Sequence, residues 1–159
     1  IQGLNTTSAK SDGSGTFATT STVTLLAGSG NLNASGENYI CYCFSSKEGY
    51  SKFGSYTGNG SSDGPFVYTG FRPAFVILKI TSTTENWTIF DNKRDINNLV
   101  DLGLYANTSG AEVTISTNGI DMLSNGFKLK GTGSRTNGSG QSYIYMAFAE
   151  QPFKYRNAR

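Results

Sequence analysis

Apolar and polar residues alternate in this chain over short stretches, with the period of two expected of strands and not the ~3.6 of a helix. Segment 142–149 is the clearest case. Ile144, Met146 and Phe148 fall on one side, and Tyr143, Tyr145 and Ala147 on the other. Segment 74–81 opens with an almost continuous apolar run, Ala-Phe-Val-Ile-Leu-Lys-Ile, as in a central strand covered on both faces. Pro73 stands where it can start that strand without interrupting it. The same patterning predicts strands at 22–26, 38–44, 51–57, 65–69, 86–91, 111–116, 120–123 and 126–130. Turn signals separate them: Gly58-Asn59-Gly60, Asp63-Gly64-Pro65, Asn118-Gly119, Asn125-Gly126 and Gly131-Thr132-Gly133, residues that adopt tight turns at low cost. Residues 1–20 are polar, rich in Gly and Ser and without period, and read as a linker. Only Asn92–Tyr105 has a helical flavour, enough for one short turn. Many short strands joined by tight turns predict an all-β protein, an antiparallel β-sandwich or jelly roll.

One stretch recurs. Asn33-Ala34-Ser35-Gly36-Glu37-Asn38-Tyr39-Ile40-Cys41-Tyr42-Cys43-Phe44 aligns with Asn137-Gly138-Ser139-Gly140-Gln141-Ser142-Tyr143-Ile144-Tyr145-Met146-Ala147-Phe148, an offset of 104. Upstream, Ser21–Leu25 falls opposite Asn125–Leu129 at the same offset. Such spacing suggests tandem copies of one plan. The first copy has no counterpart of the block from about Gly49 to Asp121. The expectation is therefore that 1–45 holds the closing strands of one module, and 46–159 a complete second one. Segments 38–44 and 142–149 should then be equivalent strands, with Ile40, Phe44, Ile144 and Phe148 in the core.

Composition narrows the class. With 20 Gly, 13% aromatic and 15% charged residues, the chain has the aromatics that a disordered segment lacks. Its net charge of +2 and the absence of a long basic run argue against nucleic acid as a partner. No stretch approaches the ~18 apolar residues of a membrane-spanning helix, so no membrane insertion is expected. Cys41 and Cys43 lie at i and i+2 on the predicted strand. That geometry suits a disulfide poorly, and both read as small core fillers.

Chemistry is limited by what is missing. There is no histidine, which removes Ser–His and Cys–His nucleophiles and His-based metal sites. Carboxylates such as Asp91 and Glu112 could in principle serve glycoside hydrolysis, but no pair stands out, and no catalytic residue, metal or cofactor is assigned. The densest polar stretch is Asn86–Asp95. On an alternating strand Trp87, Ile89 and Asp91 share a face, with Thr88 and Phe90 on the other. A ligand-binding surface is expected from Trp87, Asp91, Asn92, Lys93 and Arg94, joined by Tyr105 and Asn107 of the following loop. An aromatic ring can stack on a pyranose while Asn, Asp and Arg bond its hydroxyls. For Trp87 itself the core is the favoured reading, with Arg94 paired to Asp91 or Asp95.

Several stretches carry a resemblance: Glu48–Gly60, Asp63–Pro73, Phe90–Asp95, Leu123–Leu129 and Tyr143–Glu150. Together they resemble a repeated module of tail-fibre and tail-associated proteins of marine tailed phages, cyanophages included. The likeness covers about 35–155, and 1–34 fit only as the end of a preceding copy. It implies a lectin-like sandwich in the virion, at the tail or outer surface, with other virion proteins as neighbours and homotrimeric assembly. The chain contains no coiled-coil heptads to enforce a trimer. The implied function is host attachment through a bacterial surface glycan or receptor. A purely structural decoration or tail-shaft module is the alternative, and a glycan depolymerase a third. That family supplies no catalytic residues to carry over.

Overall fold

Strand pairing gives three antiparallel sheets among the described residues of the computed structural model, which are Thr7, 16–18, 22–25, 34–40 and 42–152. Contacts divide the chain into two units. One comprises Ile1 and Lys10–Phe44, the other Gln2–Ala9 and Ser45–Arg159.

The first unit holds a two-stranded sheet of β1 (Thr16–Ala18) and β2 (Val23–Leu25), with Phe17 opposite Thr24. β1 lies inside the stretch expected to be linker; its Thr-Phe-Ala triplet is strand-prone and finds a partner in Val-Thr-Leu. Segment 38–44 departs from expectation. Its described residues carry no strand pairing, and Ile40 and Phe44 are 81% and 63% exposed. Cys43 is exposed and not a core filler, and Cys41 lies outside the described residues. The physical reason is pairing. Segment 142–149 is a strand because residues 51–57 and 73–80 flank it, whereas the described residues of 38–44 join no ladder.

The second unit is a sandwich. Its strands are β3 (Ser51–Thr57), β4 (Phe66–Tyr68), β5 (Pro73–Ile80), β6 (Thr88–Asp91), β7 (Leu102–Tyr105), β8 (Val113–Thr114), β9 (Ile120–Leu123), β10 (Gly126–Leu129) and β11 (Ser142–Ala149). One sheet runs β3-β11-β5-β6-β7-β8 and the other β4-β10-β9. β7 occupies the region given a helical flavour. Its Leu-Gly-Leu-Tyr pairs with β6, Thr88 opposite Tyr105, and β-pairing outweighs the weak local preference. A 3-10 turn covers Ser116–Asn118, and a single helical turn, α1, covers Ser134–Asn137.

Between the sheets, Val67, Ile120, Met122, Phe127 and Leu129 of the smaller meet Val76, Leu78, Phe90, Tyr145 and Ala147 of the larger. On β11 the alternation holds, but the inward set is Tyr143, Tyr145 and Ala147; Ile144 and Phe148 are half-buried on the other face. Tyrosine can occupy the core because its hydroxyl finds partners. Tyr143 Oη donates to the Ser134 carbonyl and accepts from the Gly138 amide at 2.7 Å; Tyr56 Oη donates to the Thr136 carbonyl at 2.6 Å. The Tyr56 and Tyr143 rings stack at 4.9 Å, and Tyr145 meets Phe127 edge-on at 5.5 Å. The opposite face of the large sheet also carries an apolar row in register: Phe53, Met146, Ile77, Ile89 and Leu104.

Candidate functional site

β6 directs the residues of the expected surface in two directions. Thr88 and Phe90 point into the core, and Ile89 and Asp91 away from it. Trp87, just before the strand, is 6% exposed, which leaves no open ring face. Asn107 serves that same segment: its Oδ1 accepts from the Trp87 amide at 2.9 Å, and its Nδ2 donates to Asn86 Oδ1 at 2.9 Å. Beyond β6 the chain turns around Asp91, whose Oδ1 accepts from the amides of Lys93 (3.0 Å) and Arg94 (2.8 Å). The Arg94 guanidinium bonds back to Asp91 and also to Glu112. Partial burial pushes the Asp91 carboxyl up, but the bonds from Arg94 and Lys93 outweigh it and hold it below the usual carboxylate range.

The remaining residues are engaged in the same way. Asn92 is buried; its Nδ2 donates to Glu150 Oε1 at 2.9 Å, while its Oδ1 has no partner. Lys93 lies 3.7 Å from Glu150, which also holds Arg72 at 3.0 Å. Tyr105 packs against the core beneath Arg135, whose guanidinium carbon is 5.1 Å from the ring centroid. Arg135 in turn pairs with Glu85 at 3.0 Å. The side chains of the seven residues therefore turn to different partners: Trp87 lies with Asn107, Asp91 with Arg94, Asn92 and Lys93 on Glu150, and Tyr105 under Arg135. Most of their polar atoms brace the β6–β7 connection. Asp95 does likewise, accepting from the amides of Asp101 (2.8 Å) and Leu102 (3.2 Å).

A more open site lies where the edge strands of the two sheets, β3 and β4, approach one another. Ser46, Lys47, Glu48, Ser51, Lys52, Tyr68, Thr69 and Gly70 line a groove of about 330 Å³, near the lower bound of the ~300–1,000 Å³ of small-molecule sites. One wall is a tight turn in which the amides of Tyr50 and Ser51 donate to the Lys47 carbonyl, each at 3.0 Å. The other is the end of β4. Tyr68 sits opposite Gly126 on the outer face of the small sheet. With no side chain across from it, its ring stays 64% exposed. Gly70 follows at φ +85°, a conformation glycine adopts without strain, and a Cβ there would stand 3.6 Å from the Tyr68 hydroxyl.

One family model matches residues 2–152, that of a domain of unknown function designated DUF7483. The chain belongs to this family. No curated protein and no solved structure matches it. In this DUF7483 domain no group of three or more His, Cys, Asp and Glu among the described residues is placed to hold a metal. No helix among them is long and apolar enough to cross a membrane. The walls of the groove of this DUF7483 domain, Ser46–Lys52 and Tyr68–Gly70, lie apart in the sequence and meet only through sheet packing, so no local pattern marks it as a whole. The one signal available was the Tyr68-Thr69-Gly70 triplet, which places an aromatic residue at the end of an edge strand before a positive-φ turn.

Proposed function

We propose that this domain is a non-catalytic attachment module, carried on the tail or outer surface of a phage virion, that binds a glycan of the bacterial surface. The observation that carries the binding role is the open groove between β3 and β4, which sets the exposed ring of Tyr68 beside charged and hydroxyl side chains. Sugars are held by that combination, an aromatic face against the C–H groups and polar atoms around the hydroxyls. The virion setting, the neighbouring virion proteins and homotrimeric assembly rest on the sequence resemblance. A depolymerase gains little support from Asp91 and Glu112. Both bind one guanidinium, and Asp91 is held low, whereas glycoside hydrolysis needs one carboxyl kept protonated.

The test is binding of the purified chain to panels of bacterial lipopolysaccharide and capsular polysaccharide, with Tyr68→Ala beside it. Wild type should bind a subset of the panel, and Tyr68→Ala should lose that binding while keeping its circular dichroism. The competing reading is a structural part of a capsid decoration or tail shaft. Exposure of Phe66 and Tyr68 together on the outer face of the small sheet favours it, since paired exposed aromatics suit assembly contacts. Failure to bind any polysaccharide, with Tyr68→Ala altering the sedimentation of the assembled protein, would establish that reading.

A further inference from the structure

Among the described residues of the larger unit, most basic side chains are matched by carboxylates. Arg72 and Lys93 meet Glu150, Arg94 meets Asp91 and Glu112, Lys128 meets Asp63, Lys130 meets Asp121, and Arg135 meets Glu85. Lys79 is enclosed and donates to the carbonyls of Thr7 (3.2 Å) and Ile80 (2.9 Å). Among the described residues the exposed cations without an ion-pair partner are Lys47 and Lys52. Both line the groove beside Tyr68. Two ammonium groups against one carboxylate, Glu48, leave this concavity positive, and a concave wall focuses such a potential.

We propose that the groove takes an acidic sugar, a carboxylate-bearing residue of a surface polysaccharide such as a uronate. The assignment rests on the attachment reading and specifies its ligand. Lys47 and Lys52 hold the carboxylate, and the Tyr68 ring packs on the pyranose. Ser46 Oγ accepts from the Phe53 amide at 3.2 Å, which leaves its own O–H to donate to a sugar oxygen. The hydroxyls of Ser51 and Thr69 are already spent on the carbonyls of Ser45 (3.0 Å) and Phe71 (2.6 Å), so they shape the wall. A bare phosphate fits less well. Phosphate is favoured by arginine forks and converging backbone amides. The groove holds no arginine, and its amides at Ser51, Thr69 and Gly70 already donate to the carbonyls of Lys47 and Asn125. Lysine on an edge strand also has a plainer use, keeping the edge from pairing with another chain, and the experiment must separate the two.

The chain is titrated with digalacturonate and with digalactose and followed by amide chemical shifts. Shifts should concentrate at 46–52 and 68–70, and digalactose should bind roughly tenfold more weakly, the scale of one charge-assisted hydrogen bond. Raising salt from about 50 to about 300 mM should weaken the acidic disaccharide alone, because exposed charges are screened. Lys47→Ala with Lys52→Ala should remove the preference for the acid, whereas Tyr68→Ala should weaken both sugars. Absent binding, shifts centred elsewhere, or an acid preference that survives the double substitution overturns the proposal. Tetraglutamate binding as tightly as digalacturonate overturns it in favour of an acidic peptide. Self-association of the double variant with sugar binding intact overturns it in favour of an edge guard. If digalacturonate titrates into the groove but wild type ignores every bacterial polysaccharide, the attachment reading falls and the ligand assignment stands.

Discussion

Asn137 shows how much of this domain hangs on single buried polar side chains. It is fully buried. Its Nδ2 shares its two hydrogens among Asn59 Oδ1 (3.0 Å), the Ser61 carbonyl (2.8 Å) and the Gly131 carbonyl (2.9 Å), and its Oδ1 accepts from the Asn59 amide (2.9 Å). One amide thus ties the loop after β3 to the loop after β10. Alanine there strips partners from several enclosed groups, each costing ~1–3 kcal/mol if left unsatisfied. Asn137→Ala should lower unfolding free energy in urea by about 2–4 kcal/mol. Asn137→Asp should not restore it, because a carboxylate would face two carbonyl oxygens. Nothing in the local sequence marks this residue. Along the chain it is an Asn before a Gly, as Asn59, Asn118 and Asn125 also are, and only the meeting of two loops far apart in the chain makes it a clamp. Trp87 and Tyr105 teach the converse: aromatic residues beside polar ones look like a sugar platform until tertiary packing buries one and covers the other with Arg135.

Among elements, β11 and β10 carry the most. β11 pairs with β3 and β5 along nearly its whole length, and its alternation was plain in the sequence. β10 joins β4 to β9, and its first residue is constrained by approach of backbone to backbone. A Cβ on Gly126 would lie 2.2 Å from the Val67 carbonyl oxygen and 2.8 Å from the Phe66 ring. Backbone cannot swing aside as a side-chain tip can. Gly126→Ala should cost about 1–3 kcal/mol, as for overpacking. It should also weaken sugar binding to the groove, because Tyr68 stands directly opposite; titration with digalacturonate beside a urea melt checks both. The elements misjudged from sequence are short or locally ambiguous: β1 within a polar stretch, β7 within a helix-tolerant one, and the single turn of α1. β1 pairs with the nearby β2, β7 is fixed by β6 on one side and β8 on the other, and α1 is a single turn too short to leave a helical period in the sequence.

For the larger unit as a whole, the layer between the sheets is unusual in holding tyrosines. Burial raises the Tyr56, Tyr143 and Tyr145 phenols above their ordinary value, with the neighbouring Tyr143 adding to the effect at Tyr56. A phenol whose folded pKa is raised binds its proton more tightly in the folded state. The stability it contributes is complete below the unfolded value of about 10 and is lost as pH rises through the folded one. Urea midpoints should hold up to about pH 10 and fall steeply above it. Phenolate absorbance from these three rings should appear only as the protein unfolds. Midpoints that stay level well above pH 10, with all nine tyrosines ionising together, would contradict the buried layer.

The sequence by itself determined the class of this protein and the period of its strands, because alternation, turn residues and the lack of histidine are local properties. It did not determine which face of β11 meets the second sheet. Both faces are rich in apolar side chains, the row of Phe53, Met146, Ile77, Ile89 and Leu104 on one and Tyr143, Tyr145 and Ala147 on the other. A strand pattern fixes period but not sign, and hydroxyl partners on α1 decided in favour of the tyrosines. Likewise, two segments of similar sequence, 38–44 and 142–149, differ in structure: β3 and β5 flank the second, and the described residues of the first belong to no strand. The groove arises from the same cause. Lys47, Lys52 and Tyr68 are unremarkable along the chain, and they face a common space only because the edges of two sheets come together there.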